Sequence, residues 1–223
     1  MSKYEFSLTT FNPSGKLLQI DYALRAVQSG TMCLGIKTKD GVVLGAEKKL
    51  PPLMDPSTVA KLSFVTERIG VTYAGMGPDS RVLLRQGRKA GQTYWLQHQD
   101  PIPVAQMVKE LANIMQEYTQ KGGVRPFGVS LLVAGYDHNG PQLYQVDPSG
   151  SFWAWKASAL GKNMVRFAIF QRQPLVVAWF LYHVQCVLWM NKQCQDVFGK
   201  EVQGRHGDGG CDPHSDSHAE RQL

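Results

Sequence analysis

Cysteine is scarce and unpaired: Cys33, Cys186, Cys194 and Cys211 are the only four in 223 residues, and none stands in a CxxC spacing. That pattern excludes a disulfide framework and fits a reducing compartment. His183, Cys186, Cys194, Cys211 and His214 are ligating residue types, but their irregular spacing matches no structural zinc site, so no metal is expected. No apolar leader follows Met1, where the chain reads Ser2-Lys3-Tyr4-Glu5, and a cytoplasmic and nuclear location is expected. No run of apolar residues reaches the roughly 20 that cross a bilayer. The longest candidate, Leu175–Met190, contains His183 and Gln185 and reads as a buried helix rather than a span, so no membrane partner is expected. The net charge of +6 is scattered over Lys37 to Lys39, Lys48-Lys49 and Arg85 to Lys89, with no aromatic residues interleaved. A nucleic-acid surface is therefore not expected, nor is any cofactor.

What the chain does have is 43% hydrophobic residues, enough for one sizeable core without staples. Leu17, Ile20, Leu24 and Val27 recur at helical spacing, which predicts a helix over Ser14–Val27 stopped by a left-handed Gly30. Thr31–Lys37 and Val42–Glu47 predict a hairpin turning on positive φ angles at Asp40-Gly41. Pro51, Pro52 and Pro56 place 50–57 in a loop, and a second strand pair is predicted over Ala60–Val65 and Arg68–Ala74. Asp79 reads as the cap of a helix running to Gln97, weakened by Gly87 and Gly91. Val104, Met107, Val108, Leu111, Ile114, Met115 and Tyr118 define a further amphipathic helix after a cap region at Asp100–Pro103. Phe127–Ala134, Gln142–Val146 and Ser151–Ala157 predict a three-stranded meander with turns at Asn139-Gly140 and Pro148-Ser149-Gly150. Hairpins interrupted by a helix pair point to an α+β layered fold.

The run Phe11-Asn12-Pro13-Ser14-Gly15-Lys16-Leu17-Leu18-Gln19-Ile20-Asp21-Tyr22-Ala23 resembles the amino-terminal signature of proteasome α subunits, with Asn12 in place of Ser as its one departure. The likeness continues through Gly41–Leu44, Gly75–Leu83, Gly122–Gly128 and Asp147–Lys156, covering about residues 4 to 165. Ser7-Leu8-Thr9-Thr10-Phe11 and Gly75–Asp79 resemble one particular type within that family most. The resemblance implies a four-layer αββα sandwich of the amino-terminal nucleophile hydrolase class. It implies a non-catalytic member of a threonine peptidase core, seated in a heteroheptameric outer ring of α subunits against a β ring. It also implies gating of unfolded substrates and docking of the carboxyl-terminal tails of regulatory particles, in ubiquitin-dependent protein degradation. Residues 1–165 would form the α-type domain, with 1–13 as the gate arm and 14–29 as the ring helix.

The same resemblance implies site residues. Tyr4, Glu5, Pro13 and Tyr22 match the cluster that holds the arms of an open gate, with Glu5 standing for the usual Asp and Phe6 for a frequent Arg. Lys61 matches the docking lysine. The catalytic relatives free an amino-terminal Thr by cutting a Gly-Thr bond, and here Gly30-Thr31 is followed by Glu47 and Lys61 at the acidic and lysine positions. The helix before Thr31 argues against such a cut, since inside the chain its nitrogen is an amide and no base. A processed threonine hydrolase stays an alternative, as does a variant that folds poorly and never joins a proteasome. From Arg166 the likeness stops, and 166–223 reads as a divergent tail from a shifted frame, retained intron or alternative exon. The expected cost is an incomplete sandwich with bare sheet edges.

Overall fold

A computed structural model describes residues 10–55 and 58–162, together with the backbone of 186–191. The first described residues form a closed turn rather than the expected first turn of helix. Asn12 Oδ1 accepts hydrogen bonds from the Lys16 amide and the Ser14 hydroxyl, both at 2.8 Å, and Gly15 adopts φ +75°. Asn12, the departure from the signature, is thus the acceptor that closes this turn. Helix α1 then runs Leu18–Ser29 and buries Ala23 and Val27. Gly30 does not take the left-handed conformation expected of it: its φ is −68° and its ψ 162°.

Strands β1 (Cys33–Lys37) and β2 (Gly41–Ala46) form the expected hairpin, but neither Asp40 nor Gly41 has positive φ. Thr38 closes the turn instead: its amide donates to the Gly41 carbonyl, and its hydroxyl accepts from the Gly41 amide at 3.1 Å. Strands β3 (Leu62–Thr66) and β4 (Ile69–Gly75) follow, then α2 (Gly77–His98) and α3 (Val104–Gln120). Strands β5 (Val129–Asp137) and β6 (Gly140–Val146) turn at Gly140, with φ +87°. The third strand of the expected meander splits. Phe152–Ala154 (β7) pairs with β6, the chain crosses at Trp155-Lys156, and Ala157–Leu160 (β8) joins the other sheet beside β1. Periodicity cannot show this crossing, because both halves remain extended.

The last strand, β9 (Cys186–Asn191), pairs antiparallel with β2 from Gly41↔Asn191 to Ala46↔Cys186. This corrects the helix expected over Leu175–Met190 for the part of it that is described, and it covers the β2 edge that was expected to be bare. The two sheets have the orders β8-β1-β2-β9 and β3-β4-β5-β6-β7.

Along β5 the alternation of side chains separates two cores. Leu132 and Ala134 face the four-stranded sheet and pack with Val42, Leu44, Ala46, Leu143 and Leu160. Val129, Leu131 and Val133 face α2 and α3 and pack with Leu83, Met107, Leu111 and Met115. The result is an α+β sandwich with α2 and α3 on one outer face. Among the described residues no helix covers the outer face of the four-stranded sheet, so the fourth layer of the expected αββα arrangement is not seen there; α1 contacts β4 and β5 of the five-stranded sheet.

Two local expectations change. Gly87 and Gly91 are not weak points of α2 but its contact stripe with Leu83. A Cβ on Gly87 would sit 3.2 Å from Leu111 and Val65, and one on Gly91 would sit 2.9 Å from Thr66. The caps also differ from expectation. Neither helix is capped by its own preceding side chain; the Val104 amide at the start of α3 donates instead to Asp137 Oδ2 at 3.2 Å, supplied from the end of β5.

Candidate functional site

Of the residues that a threonine hydrolase would need, the hairpin sets Glu47 beside the start of β1, and Lys61 lies within electrostatic reach of Glu47. The Glu47 amide donates to the Met32 carbonyl at 2.9 Å, placing Glu47 across from the residue after Thr31. Its carboxylate is half-buried and pairs with Lys49 at 3.2 Å. Lys61, immediately before β3, is only 5% exposed, not the surface lysine that its position beside a strand would otherwise give. Its ammonium donates to the Tyr73 carbonyl at 2.9 Å and lies 4.2 Å from the centre of the Tyr73 ring. Burial pushes the Lys61 ammonium below its ordinary pKa, against the opposing influence of Cys33 and Glu47. Burial likewise pushes the Cys33 thiol up to about 12, so it is neither a nucleophile nor a ligand at neutral pH.

The nucleophile's own requirement is not met. Thr31 is joined to Gly30, and this junction is enclosed. The Gly30 amide donates to the Val27 carbonyl at 3.0 Å, and the Gly30 carbonyl accepts from the Lys162 amide at 2.9 Å. A Cβ on Gly30 would lie 2.4 Å from the Gly75 nitrogen. On the far side Gly161, with φ +93°, packs its backbone against the Gly30 and Thr31 carbonyls. α1 folds onto β4 and β5, and while Thr31 stays joined to it the Thr31 nitrogen is an amide that cannot act as base.

Of the gate-cluster residues, Pro13 lies exposed in the first turn, and Tyr22 is 40% exposed on α1 with Arg25 stacked 5.9 Å from its ring centre. Tyr4 and Glu5 lie outside the described residues, as do His183, Cys194, Cys211 and His214.

One site went unread in the sequence. Asp79, expected as a helix cap, is 7% exposed and receives a two-pronged contact from Arg125, Nη1 to Oδ2 at 2.7 Å and Nη2 to Oδ1 at 2.8 Å. The Gly128 amide adds a third hydrogen bond at 3.0 Å. This pair ties Gly75–Asp79 to Gly122–Gly128, two stretches that the resemblance had marked separately. Their link was invisible because 46 residues separate the partners. Hydrogen bonding to Arg125 holds the Asp79 carboxyl below the usual carboxylate range. The stability it contributes is therefore complete above the unfolded-state pKa of about 3.9 and is lost as pH falls through the lower folded value. Asp79→Asn should flatten the stability-against-pH curve below about pH 4, measured by denaturant titration at several pH values. An unchanged acid limb would contradict this.

Two family models match this chain: the N-terminal signature of A-type proteasome subunits over residues 4–26, and the general proteasome subunit model over residues 27–170. The chain belongs to the proteasome subunit family. It is 65% identical to the alpha type-2 proteasome subunit of Dictyostelium discoideum over 164 residues, covering 74% of this chain and 71% of that protein. Identity to alpha type-2-A of Arabidopsis thaliana is 63%, covering 73% and 70%, and to alpha type-2 of Drosophila melanogaster 54%, covering 73% and 70%. Alpha type-2 is the type that Ser7–Phe11 and Gly75–Asp79 resembled. The amino-terminal signature together with these relatives makes the chain a non-catalytic α-type member of the proteasome, one that assembles with other proteasome subunits. The threonine-hydrolase alternative fails for the physical reason already given: an α-type amino terminus precedes Thr31 and packs as part of the domain.

Proposed function

We propose that this protein occupies the heteroheptameric α ring of a threonine peptidase core in the cytoplasm and nucleus, where β-type subunits of the stacked ring perform the cleavage. There it holds its ring neighbours, closes the pore to unfolded substrates with the arm 1–13, and receives the tails of regulatory particles in ubiquitin-dependent degradation. The enclosed Gly30–Thr31 junction carries this reading. α1, packed on β4 and β5, would be available for ring contacts, and the arm preceding it would be anchored at one end. In the gate, Tyr4, Glu5, Pro13 and Tyr22 would meet when the arms open, a carboxylate and a Tyr hydroxyl making a short charged hydrogen bond.

Lys61 would be the docking cation. Its ammonium is held at the Tyr73 carbonyl beneath the surface, where a carboxylate approaching through low dielectric would gain a stronger partner than in water. Lys61→Ala in assembled particles should weaken activator docking on the order of tenfold, the loss expected for one charged hydrogen bond. Activator-stimulated peptide hydrolysis, titrated against activator concentration, measures it; an unchanged half-saturation point would contradict the docking role.

Residues 166–223 would be a variant terminal segment attached to the α-type domain 1–165. A polypeptide that never assembles is less well supported, because β9 gives β2 a paired neighbour along its whole length. Tryptic peptides spanning Met164 to Arg172, recovered from purified particles, would establish that this segment is expressed and assembled.

A further inference from the structure

Lys61 is the one buried lysine among the described residues, and two consecutive residues of β4 hold it. The β3–β4 register pairs Leu62 with Thr72, and one step further it sets Lys61, just before β3, opposite Tyr73. Thr72 fixes the backbone: its hydroxyl donates to the Lys61 carbonyl at 3.1 Å. Tyr73 takes the side chain, accepting the ammonium at its carbonyl, 2.9 Å away, with the ring centre at 4.2 Å. An ammonium has three hydrogens to donate, and this carbonyl accepts one. Glu47 and Cys33 act on Lys61 through charge rather than through a hydrogen bond. The ring face, which attracts a cation without accepting a hydrogen bond, is what the buried charge has besides that carbonyl. The ring itself has a defined place. A Cβ on Gly77, the first residue of α2, would lie 3.1 Å from the Tyr73 hydroxyl oxygen. Tyr73 also lines a cavity of about 630 Å³ between β3 and the start of α2, together with Ser63, Val65, Ser80, Arg81 and Leu84, whereas Lys61 does not reach it.

We infer that Tyr73 is the positioning residue of Lys61: its carbonyl aims the ammonium, and its ring keeps the charge in place where water is scarce. This rests on the docking reading of Lys61 given above and adds to it the residue that readies the cation for a carboxylate. The carbonyl survives any substitution at this position, so the ring is the part that the side chain controls. An aliphatic residue of similar volume would leave a buried ammonium with a single acceptor, a costly arrangement. The flexible four-carbon stem of Lys61 can escape that cost by swinging its charged end out to water. A cation that has swung out no longer waits at a fixed point, and an incoming carboxylate must then order it again. Phenylalanine keeps the ring face and should keep the function; the Tyr73 hydroxyl is directed at Gly77, not at Lys61.

The test has one measurement that needs no docking and one that does. In the first, the purified full chain is treated with acetic anhydride, and the acetylation rate of Lys61 is read by peptide mass mapping against exposed Lys39. Tyr73→Leu should speed Lys61 labelling on the order of fivefold, the factor that a ring contact of this kind is worth, and Tyr73→Phe should leave it unchanged. Equal labelling in all three proteins, or equal acceleration in both variants, would overturn the inference. If Tyr73→Leu fails to fold, Tyr73→Met, which also lacks the ring, is read by the same criterion. In the second measurement, activator-stimulated peptide hydrolysis is titrated in assembled particles. Tyr73→Leu should raise the half-saturation point severalfold with the maximal rate unchanged, and should add nothing in a Lys61→Ala background. An additive effect there, or an unchanged half-saturation point where Lys61→Ala raises it, would overturn the inference. Faster labelling with half-saturation unmoved by both Tyr73→Leu and Lys61→Ala would leave the positioning role standing and refute the docking reading.

Discussion

Gly75→Ala should destabilise the folded chain by about 3 to 5 kcal/mol, enough to leave much of it unfolded at physiological temperature. Two costs combine. Gly75 has φ +113°, a conformation that an L side chain rarely adopts. The added Cβ would also lie 2.2 Å from the Gly128 carbonyl oxygen, and that atom cannot yield because Gly128 is tied to Met76 and Asp79. Gly123→Ala separates the two costs. Gly123 has φ +79° but nothing within 4 Å of its added Cβ, so about 1 kcal/mol of backbone strain is expected there. Urea denaturation of both variants measures the difference; equal losses would show that packing against Gly128 contributes nothing.

Leu132→Ala should cost about 2 to 5 kcal/mol. Leu132 is fully buried between the sheets and packs in one cluster with Leu44, Leu143 and Ala134, and the rigid strands on both sides cannot close over the void. Leu96→Ala is the matching control: Leu96 is 62% exposed on α2, and its truncation should stay within about 0.5 kcal/mol. If Leu132→Ala unfolds at the wild-type denaturant midpoint, the facing of the two sheets through β5 is wrong.

Much of this fold is legible in the sequence because its signals are local. The β1–β2 hairpin, the β3–β4 pair and both long helices announce themselves by period. Every α3 position read from spacing is buried or packs against the core, with Val104, Met107, Val108, Leu111 and Met115 fully buried. What escaped was non-local or carried by residues without a hydrophobic signature. Gly87 and Gly91 look like helix breakers until α3 lies against them. Asp79 looks like a cap until Arg125 arrives from beyond α3, and Asp137 shows no sign of being the acceptor for the α3 amide. The exchange of sheets at Trp155-Lys156 leaves no trace in alternation, since both sides of it remain strands. For the site, the residue types at Thr31, Glu47 and Lys61 were readable, and the decisive fact was also sequential: the α1 signature stands before Thr31. The structure adds why that order matters, by enclosing Gly30 between Gly75, Val27 and Lys162.

A non-catalytic role requires that Thr31 remain inside the chain. Intact-mass analysis of this protein released from purified, assembled particles tests that requirement most directly. The predicted result is a species that retains the segment before Thr31, including all of α1. A species whose amino terminus is Thr31 would contradict it, for it would possess the free amine that a threonine nucleophile requires.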